Sequence, residues 1–181
     1  MIQHQLSLAH PERRAVAVTL QAELPPGTER QVLVFPVWTP GSYLVREHQR
    51  HVNDLVARVD GRPVAVTKVD KHRFEVETRG GRKLEVTWEY AAHELTVRTS
   101  HVDETHAFVN PVNCLAWLPG REHEPQRLDV VDLPDGWGVA CGLRTVSSGK
   151  GRVRFEAEDF DALADSPIEA GPHAAKKARL T

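Results

Sequence analysis

The chain has 181 residues and a formal net charge of −2 at pH 7. A chain of this length buries roughly 70% of the surface that it exposes when unfolded, which predicts one self-sufficient domain. Acidic and basic residues are interleaved until the last few positions, which argues against a nucleic-acid partner. There is no signal-peptide pattern at the start and no apolar run near the ~18–20 residues of a spanning helix, so we expect no membrane association and a cytoplasmic location.

The strongest periodicity in the chain has a repeat of two residues, as a half-buried strand requires. It is clearest at residues 16–24, where Val16, Val18 and Leu20 alternate with more polar neighbours. Similar runs predict further strands over residues 2–8, 32–37, 51–60, 64–69, 73–77, 84–90, 95–99, 128–131, 138–143 and 152–157.

Turn residues separate these runs. Asp60-Gly61, between two valine-rich segments, is the strongest hairpin signal, and Ser147-Ser148-Gly149 also predicts a turn. Short strands with turns about every 8–12 residues predict an all-β antiparallel sandwich or saddle-like sheet domain with little helix. We expect helical turns only at residues 43–49 and Phe160–Ala164.

The two cysteines, Cys114 and Cys141, are predicted to be free thiols because no secretory signal points to an oxidising compartment. Cys114 lies beside Leu115 and Trp117. Apolar surroundings raise the pKa of a thiol, so Cys114 is not predicted to be a nucleophile.

The ten histidines are the natural place to look for metal ligands, but the HExxH motif of zinc proteases is absent. In the segment from His101 to Asn110, His101 and Asp103 point to the same side of an extended chain, and a bend would bring His106 to them. Both a metal site and a polar loop fit this pattern. Spacing alone favours the loop, so we predict no metal in this chain.

Several long motifs together resemble the glycyl-aminopeptidase family of zinc metallopeptidases, family 61 of the metallopeptidase class. The first is FPVWTPGSYLVREHQRHV at residues 35–52, which is similar to the W-x-P-G-S-Y-x-x-R segment of that family. The blocks WEYAAHELTVRTSHVDETHAFVNPVNCLAWLPG, LPDGWGVACGL and FDALADSPIEAG follow in the family's order. The resemblance covers about residues 35–171.

The resemblance implies an amino-terminal β domain over residues 1–171, with residues 172–181 as a linker or truncated strand toward a catalytic domain that is absent here. That domain would carry the zinc and HExxH, so we predict no enzyme activity and no cofactor for this chain. The implied role is to scaffold the catalytic domain and help to shape the subsite for the substrate's amino terminus. The alternative is a free-standing β module that binds a peptide or a protein.

The resemblance also implies site residues and partners. The candidates for substrate binding are His101, Asp103, His106, Asn110, Trp38, Tyr43 and Arg46. The candidates for the domain interface are Asp165, Ser166, Ile168 and Glu169. The expected partners are the protein's own catalytic domain or a separately encoded one, the amino terminus of a peptide substrate, and a second copy of the chain in a twofold dimer through the surface left bare.

Overall fold

The computed structural model describes residues 1–39 and 42–172. Strands account for 48% of the described residues and helices for about 9%, which confirms the predicted all-β class. The strands are β1 (Ile2–Ser7), β2 (Ala15–Glu23), β3 (Arg30–Val34), β4 (Val52–Val59), β5 (Arg62–Val64), β6 (Val66–Lys68), β7 (Arg73–Glu77), β8 (Lys83–Ala91), β9 (His101–Val102), β10 (Ala107–Val109), β11 (Gln126–Val131), β12 (Gly138–Cys141), β13 (Arg144–Gly149), β14 (Arg152–Ala157) and β15 (Ile168–Gly171). The helices are α1 (Pro111–Cys114) and α2 (Phe160–Ala164), with 3-10 turns at Pro11–Arg13 and His48–His51.

An eight-stranded sheet forms the main layer, with the strand order β13-β14-β11-β1-β2-β8-β4-β5. Its centre is antiparallel, because β2 pairs with β8 along its whole length, from Ala15 opposite Ala91 to Glu23 opposite Lys83. The exception is β1, which runs parallel to β11 with Ile2 opposite Gln126. Strand β1 thus lies between β2 and β11, and β11 follows it by more than 120 residues in the sequence.

The core lies against one face of this sheet. Alternate residues of β1, β2 and β8 are buried, among them Leu6, Val18 and Trp88, as the repeat of two predicts. The Nε1–H of Trp88 donates to the backbone carbonyl of Cys114 at 2.9 Å, so the buried indole keeps a hydrogen bond while it ties the end of α1 to the sheet.

Two smaller sheets complete the fold. One has the order β3-β7-β6, and the other has the order β12-β15-β10-β9. In the four-stranded sheet Ile168 of β15 lies opposite Val109 on one side and Cys141 on the other. Strand β15 is therefore an internal strand of this sheet.

Most predicted strands are found, and the Asp60-Gly61 hairpin is confirmed, with positive φ at both residues and Val59 opposite Arg62. The prediction of one strand at residues 64–69 was wrong, because the chain leaves the large sheet after β5 and enters the small sheet as β6. The strand predicted at residues 95–99 is a turn. Thr96 Oγ1 accepts the backbone N–H of Arg98, which bends the chain, and Val97 is 83% exposed.

Five strands were not predicted: β9, β10, β13, β15 and, apart from Val64, β5. Ser147-Ser148-Gly149 belongs to β13, and the turn lies at Lys150 and Gly151. The helical turn expected at residues 43–49 is a 3-10 turn at His48–His51, whereas the α2 prediction is confirmed. Residues 173–181, most of the predicted linker, lie outside the described residues. Among the described residues, no helix has the length and apolar character needed to cross a membrane.

Candidate functional site

A cleft of about 840 Å³ brings together three parts of the chain that are far apart in sequence. The segment around Trp38 forms one wall, Asn110 and Val112 at the start of α1 form another, and α2 with Asp165 forms the third. Trp38, Asn110 and Asp165, which were predicted separately, therefore line a single space. Its other lining residues are Pro36, Thr39, Val97, Arg98, Trp117, Glu122, Glu158, Asp159, Phe160, Asp161, Ala162, Ala164 and Pro167.

Aromatic rings supply much of the apolar lining. The rings of Trp117 and Phe160 are tilted against each other, with centroids 5.7 Å apart. Trp117 is fixed from behind, since its backbone exchanges two hydrogen bonds with Val34 of β3 at 2.9 and 3.0 Å. Trp38 is 49% exposed, so part of its ring surface is open to solvent at the cleft.

The charges around the cleft are mostly negative. Five carboxylates line it, namely Glu122, Glu158, Asp159, Asp161 and Asp165, and among the described residues Arg98 is the one Lys or Arg that does so. Asp159 has a structural role as the N-cap of α2, because its Oδ1 accepts the backbone N–H of Ala162 at 2.8 Å. Glu158, Asp161 and Asp165 are exposed.

Internal hydrogen bonds shape the segment from Trp38 to Arg46. The Nε1–H of Trp38 donates to the carbonyl of Ser42 at 2.6 Å, and the Nε–H of Arg46 donates to the Ser42 hydroxyl at 3.1 Å. Two residues of the W-x-P-G-S-Y-x-x-R motif, Trp38 and Arg46, thus both bind the third, Ser42, which gives Arg46 a partner within the loop. Tyr43 is 98% exposed, whereas Pro40 and Gly41 lie outside the described residues.

A buried polar network anchors the far end of this segment. The Asn113 amide nitrogen lies 3.3 Å from Nδ1 of His48, and the Ser100 hydroxyl donates to Oδ1 of Asn113 at 3.0 Å. The same hydroxyl accepts the backbone N–H of Asn110, also at 3.0 Å. Burial lowers the pKa of His48 to about 4, so its ring is neutral at pH 7. The network holds the Asn110 side of the cleft to the His48–His51 turn.

His101, Asp103 and His106 do not line the cleft and form a separate cluster on the β9-β10 hairpin. Nε2 of His101 lies 3.0 Å from Oδ2 of Asp103, and Nδ1 of His106 lies 3.8 Å from Oδ1. The backbone N–H groups of Thr105 and His106 donate to Oδ1 of Asp103, and so does the Thr105 hydroxyl. These hydrogen bonds hold the pKa of the Asp103 carboxyl well below its usual range.

The four predicted interface residues differ in their exposure. Asp165 and Glu169 are exposed and Ser166 is half-buried. Ile168 is 1% exposed, because β15 turns this side chain into the core. The predicted interface role of the Ile168 side chain is corrected accordingly, since the protein's own residues cover it.

Trp117, Glu122, Phe160 and, apart from Asp165, the acidic residues of the α2 region were not predicted as site residues. For the α2 region a signal existed in the run from Glu156 to Asp165, which holds five carboxylates in ten residues. The sequence pattern alone does not show that the fold places this run opposite Trp38.

The comparisons with known proteins agree with this architecture. The model of the peptidase M61 N-terminal domain matches residues 3–172. An aminopeptidase N family protein from Idiomarina loihiensis is 28% identical, with a TM-score of 0.86 over 94% of this chain and 29% of that one. An M1 zinc metallopeptidase mutant from Deinococcus radiodurans, bound to a Tyr-Ser-Ala substrate, shares the fold at 11% identity, with a TM-score of 0.55 over 94% of this chain and 41% of that one.

No curated protein sequence is significantly similar to the chain. The chain spans less than half the length of each of these two structural relatives. The family match covers nearly all of the described residues, and the fold of the Idiomarina protein matches 94% of the chain. This chain therefore belongs to the peptidase M61 N-terminal domain family.

Proposed function

We propose that this chain is the non-catalytic amino-terminal domain of a zinc aminopeptidase in the cytoplasm. In this role it scaffolds a catalytic domain, on the same polypeptide or separately encoded, and helps to shape the subsite for the substrate's amino terminus. The observation that carries the proposal is the cleft, in which Trp38 and Asn110 face the carboxylates around α2. Family membership supports a peptidase as the parent protein.

The chemistry of the cleft suits a peptide amino terminus. A free α-amino group has a pKa of about 7.7–8.0 and is largely protonated at pH 7. Asp161 and Asp165 place negative charge at the rim, where one carboxylate about 4 Å from an ammonium contributes roughly 1 kcal/mol in water and up to ~4 kcal/mol near a protein surface. The Trp38 ring offers a surface for the first side chain or for the cation itself.

The chain's own residues do not fit the zinc of the family. That zinc takes two histidines spaced i and i+4 on a helix, and the sequence contains no HExxH. Within the described ranges, His101, Asp103 and His106 are the one group of three metal-capable side chains, and they lie on a hairpin. We therefore assign no catalytic step to this chain, and its proposed contribution is to bind and orient the substrate.

A surface for the catalytic domain is part of the proposal. Tyr43, Leu44 and Val45 expose 98%, 61% and 66% of their surface in one short segment. Apolar side chains clustered in this way favour a protein contact, and interfaces between domains of one protein typically cover about 600–1,500 Å². Asp165, Ser166 and Glu169 provide polar groups for it on the α2 side. Without its partner, the chain is expected to self-associate as concentration rises, which sedimentation would detect.

A binding experiment tests the subsite without any catalysis. The full chain is titrated with a tripeptide that has a free amino terminus and with the same tripeptide after acetylation. Acetylation is expected to weaken binding at least about fivefold, because it removes the cation. The Asp165→Asn variant should lose this preference, whereas Asp135→Asn, which changes an exposed carboxylate outside the cleft, should keep it.

An activity experiment separates a peptidase domain from a free-standing binding module. The chain is produced together with the polypeptide encoded directly downstream, and release of amino acids from peptides is measured. We expect no hydrolysis by the chain alone and zinc-dependent hydrolysis by the pair, with a raised KM when Trp38 is changed to Ala. Peptide binding by the chain, with no hydrolysis by any encoded partner, would favour the binding module.

A further inference from the structure

The His101, Asp103 and His106 cluster has a geometry that the sequence pattern could not show. One nitrogen from each ring and one carboxylate oxygen all lie within 4.8 Å of one another. The ring centroids of His101 and His106 are 5.1 Å apart, with an interplanar angle of 39°. Around a tetrahedral Zn²⁺, whose ligand bonds are about 2.0–2.2 Å long, neighbouring ligand atoms are roughly 3.3 Å apart. The donors therefore lie within a small side-chain adjustment of this spacing.

We propose that His101, Asp103 and His106 form a binding site for one divalent transition-metal ion, with Zn²⁺ as its best-suited ligand. The site is a property of this chain and does not depend on the proposed peptidase role. Two imidazoles and one carboxylate suit Zn²⁺, Co²⁺ and Ni²⁺, whereas Mg²⁺ and Ca²⁺ prefer all-oxygen sites. Three protein ligands leave at least one coordination position for water.

The hairpin fixes the donors before any metal binds. His101 lies opposite Phe108 in the β9-β10 pair, and the backbone N–H of Asp103 donates to the carbonyl of His106 at 3.0 Å to close the turn. Three hydrogen bonds from Thr105 and His106 occupy Oδ1 of Asp103. Its Oδ2, which contacts His101, is the oxygen left for a metal. Hydrogen bonds of this kind orient the ligands in established metal sites.

The surroundings of the His101 ring limit the affinity of the site for Zn²⁺. Nδ1 of His101 is buried and has no hydrogen-bond partner among the described residues. When a metal binds Nε2, the ring proton must reside on Nδ1, where it finds no acceptor, and this carries a desolvation cost. We therefore expect micromolar binding, weaker than at structural zinc sites with complete outer-shell hydrogen bonds.

The test is a calorimetric titration of the full, untagged chain with Zn²⁺, with visible absorption of the Co²⁺ form as a second readout. One Zn²⁺ ion per chain should bind. The d–d bands of the Co²⁺ form should indicate nitrogen and oxygen ligands. His106→Gln and Asp103→Asn should each weaken Zn²⁺ binding at least about tenfold, and the asparagine keeps an acceptor for the turn. His123→Gln, which changes an exposed histidine elsewhere, should bind Zn²⁺ as the wild type does.

The Thr105→Val variant adds a measurement on a residue that is not a ligand. It removes the hydroxyl that donates to Asp103 at 2.6 Å, and loss of such an outer-shell group typically weakens metal binding 10–100-fold. Circular dichroism of each variant checks that the fold is kept. Failure of Zn²⁺ to bind at micromolar concentrations would overturn the proposal, and so would equal binding by folded His106→Gln.

Discussion

The side-chain nitrogen of Asn113 lies 3.3 Å from Nδ1 of His48, and this contact joins two residues that are 65 positions apart. Asn113 is fully buried, and its other contacts are with the Ser100 hydroxyl and the carbonyl of Arg98. One side chain therefore satisfies polar groups from two separate segments, at His48 and at Arg98 to Ser100.

Replacing Asn113 with Ala should destabilise the protein by about 1–3 kcal/mol, because it leaves buried polar groups without partners. Urea unfolding at pH 7, followed by tryptophan fluorescence, measures this loss. Asn53→Ala, at an exposed amide, is the control and should change the free energy of unfolding by less than about 0.5 kcal/mol. Equal effects of the two variants would contradict the structural role of Asn113.

Stability should fall between pH 6.5 and pH 4 because of buried histidines. Burial lowers the pKa of His4 to about 4, against 6.5 for the free side chain, and the hydrogen bond to Gln126 only partly offsets this. Below pH 6.5 His4 binds a proton in the unfolded chain but stays neutral in the folded one. The free energy of unfolding therefore decreases as pH falls toward 4. For His4 the loss is about 3 kcal/mol over this window.

The measurement is the free energy of unfolding at several pH values between 7 and 4. The His4→Leu variant should show a flatter dependence than the wild type, whatever its stability at pH 7. His123→Gln should keep the full slope. A His4→Leu profile parallel to that of the wild type would show that His4 is not the source.

Ile168 should behave as a core residue. Ile168→Ala should cost about 2–5 kcal/mol, since the side chain is 1% exposed and packs in the main core cluster. Its neighbour Glu169 points to solvent, and Glu169→Ala should stay within about 0.5 kcal/mol of the wild type. Thermal unfolding of the two variants measures these losses. If Ile168→Ala lowers the stability no more than Glu169→Ala does, the register of β15 given above is contradicted.

The two thiols should differ in reactivity. Burial raises the pKa of Cys114 to about 12 and also raises that of Cys141, which is partly exposed. In the native protein at pH 8, an aromatic disulfide reagent should modify Cys141 slowly and leave Cys114 intact, because only the thiolate reacts. In urea both should react. Fast labelling of native Cys141→Ser would contradict the burial of Cys114.

The strands that sequence predicted well have one buried and one solvent-facing side. Strands β7 and β14 match their predicted bounds, because Val76, Val153 and Phe155 alternate with polar residues. Strand β13 escaped prediction because all six of its residues are exposed at the edge of the sheet, so no alternation marks it. The opposite error occurred at residues 95–99, where an alternating pattern belongs to an exposed turn.

The candidate site was predicted only in part, for a related reason. The W-x-P-G-S-Y-x-x-R motif drew attention to Trp38 and Arg46, but only the structure shows that Trp38 faces the cleft and that Arg46 binds Ser42. Sequence spacing can group neighbours such as His101 and Asp103. It carries no information on which distant segments meet, and so the place of Trp117 and Phe160 in the cleft was missed.

The parallel pairing of β1 with β11 has a consequence for how the protein is made. While the chain emerges from the ribosome, β1 can pair with β2 at once, but its other edge stays open until residues 126–131 have been synthesised. At 5–20 residues per second this takes on the order of ten seconds. During that interval Ile2 and Leu6 belong to a hairpin with an unpaired side, which makes the nascent chain a natural client for chaperones.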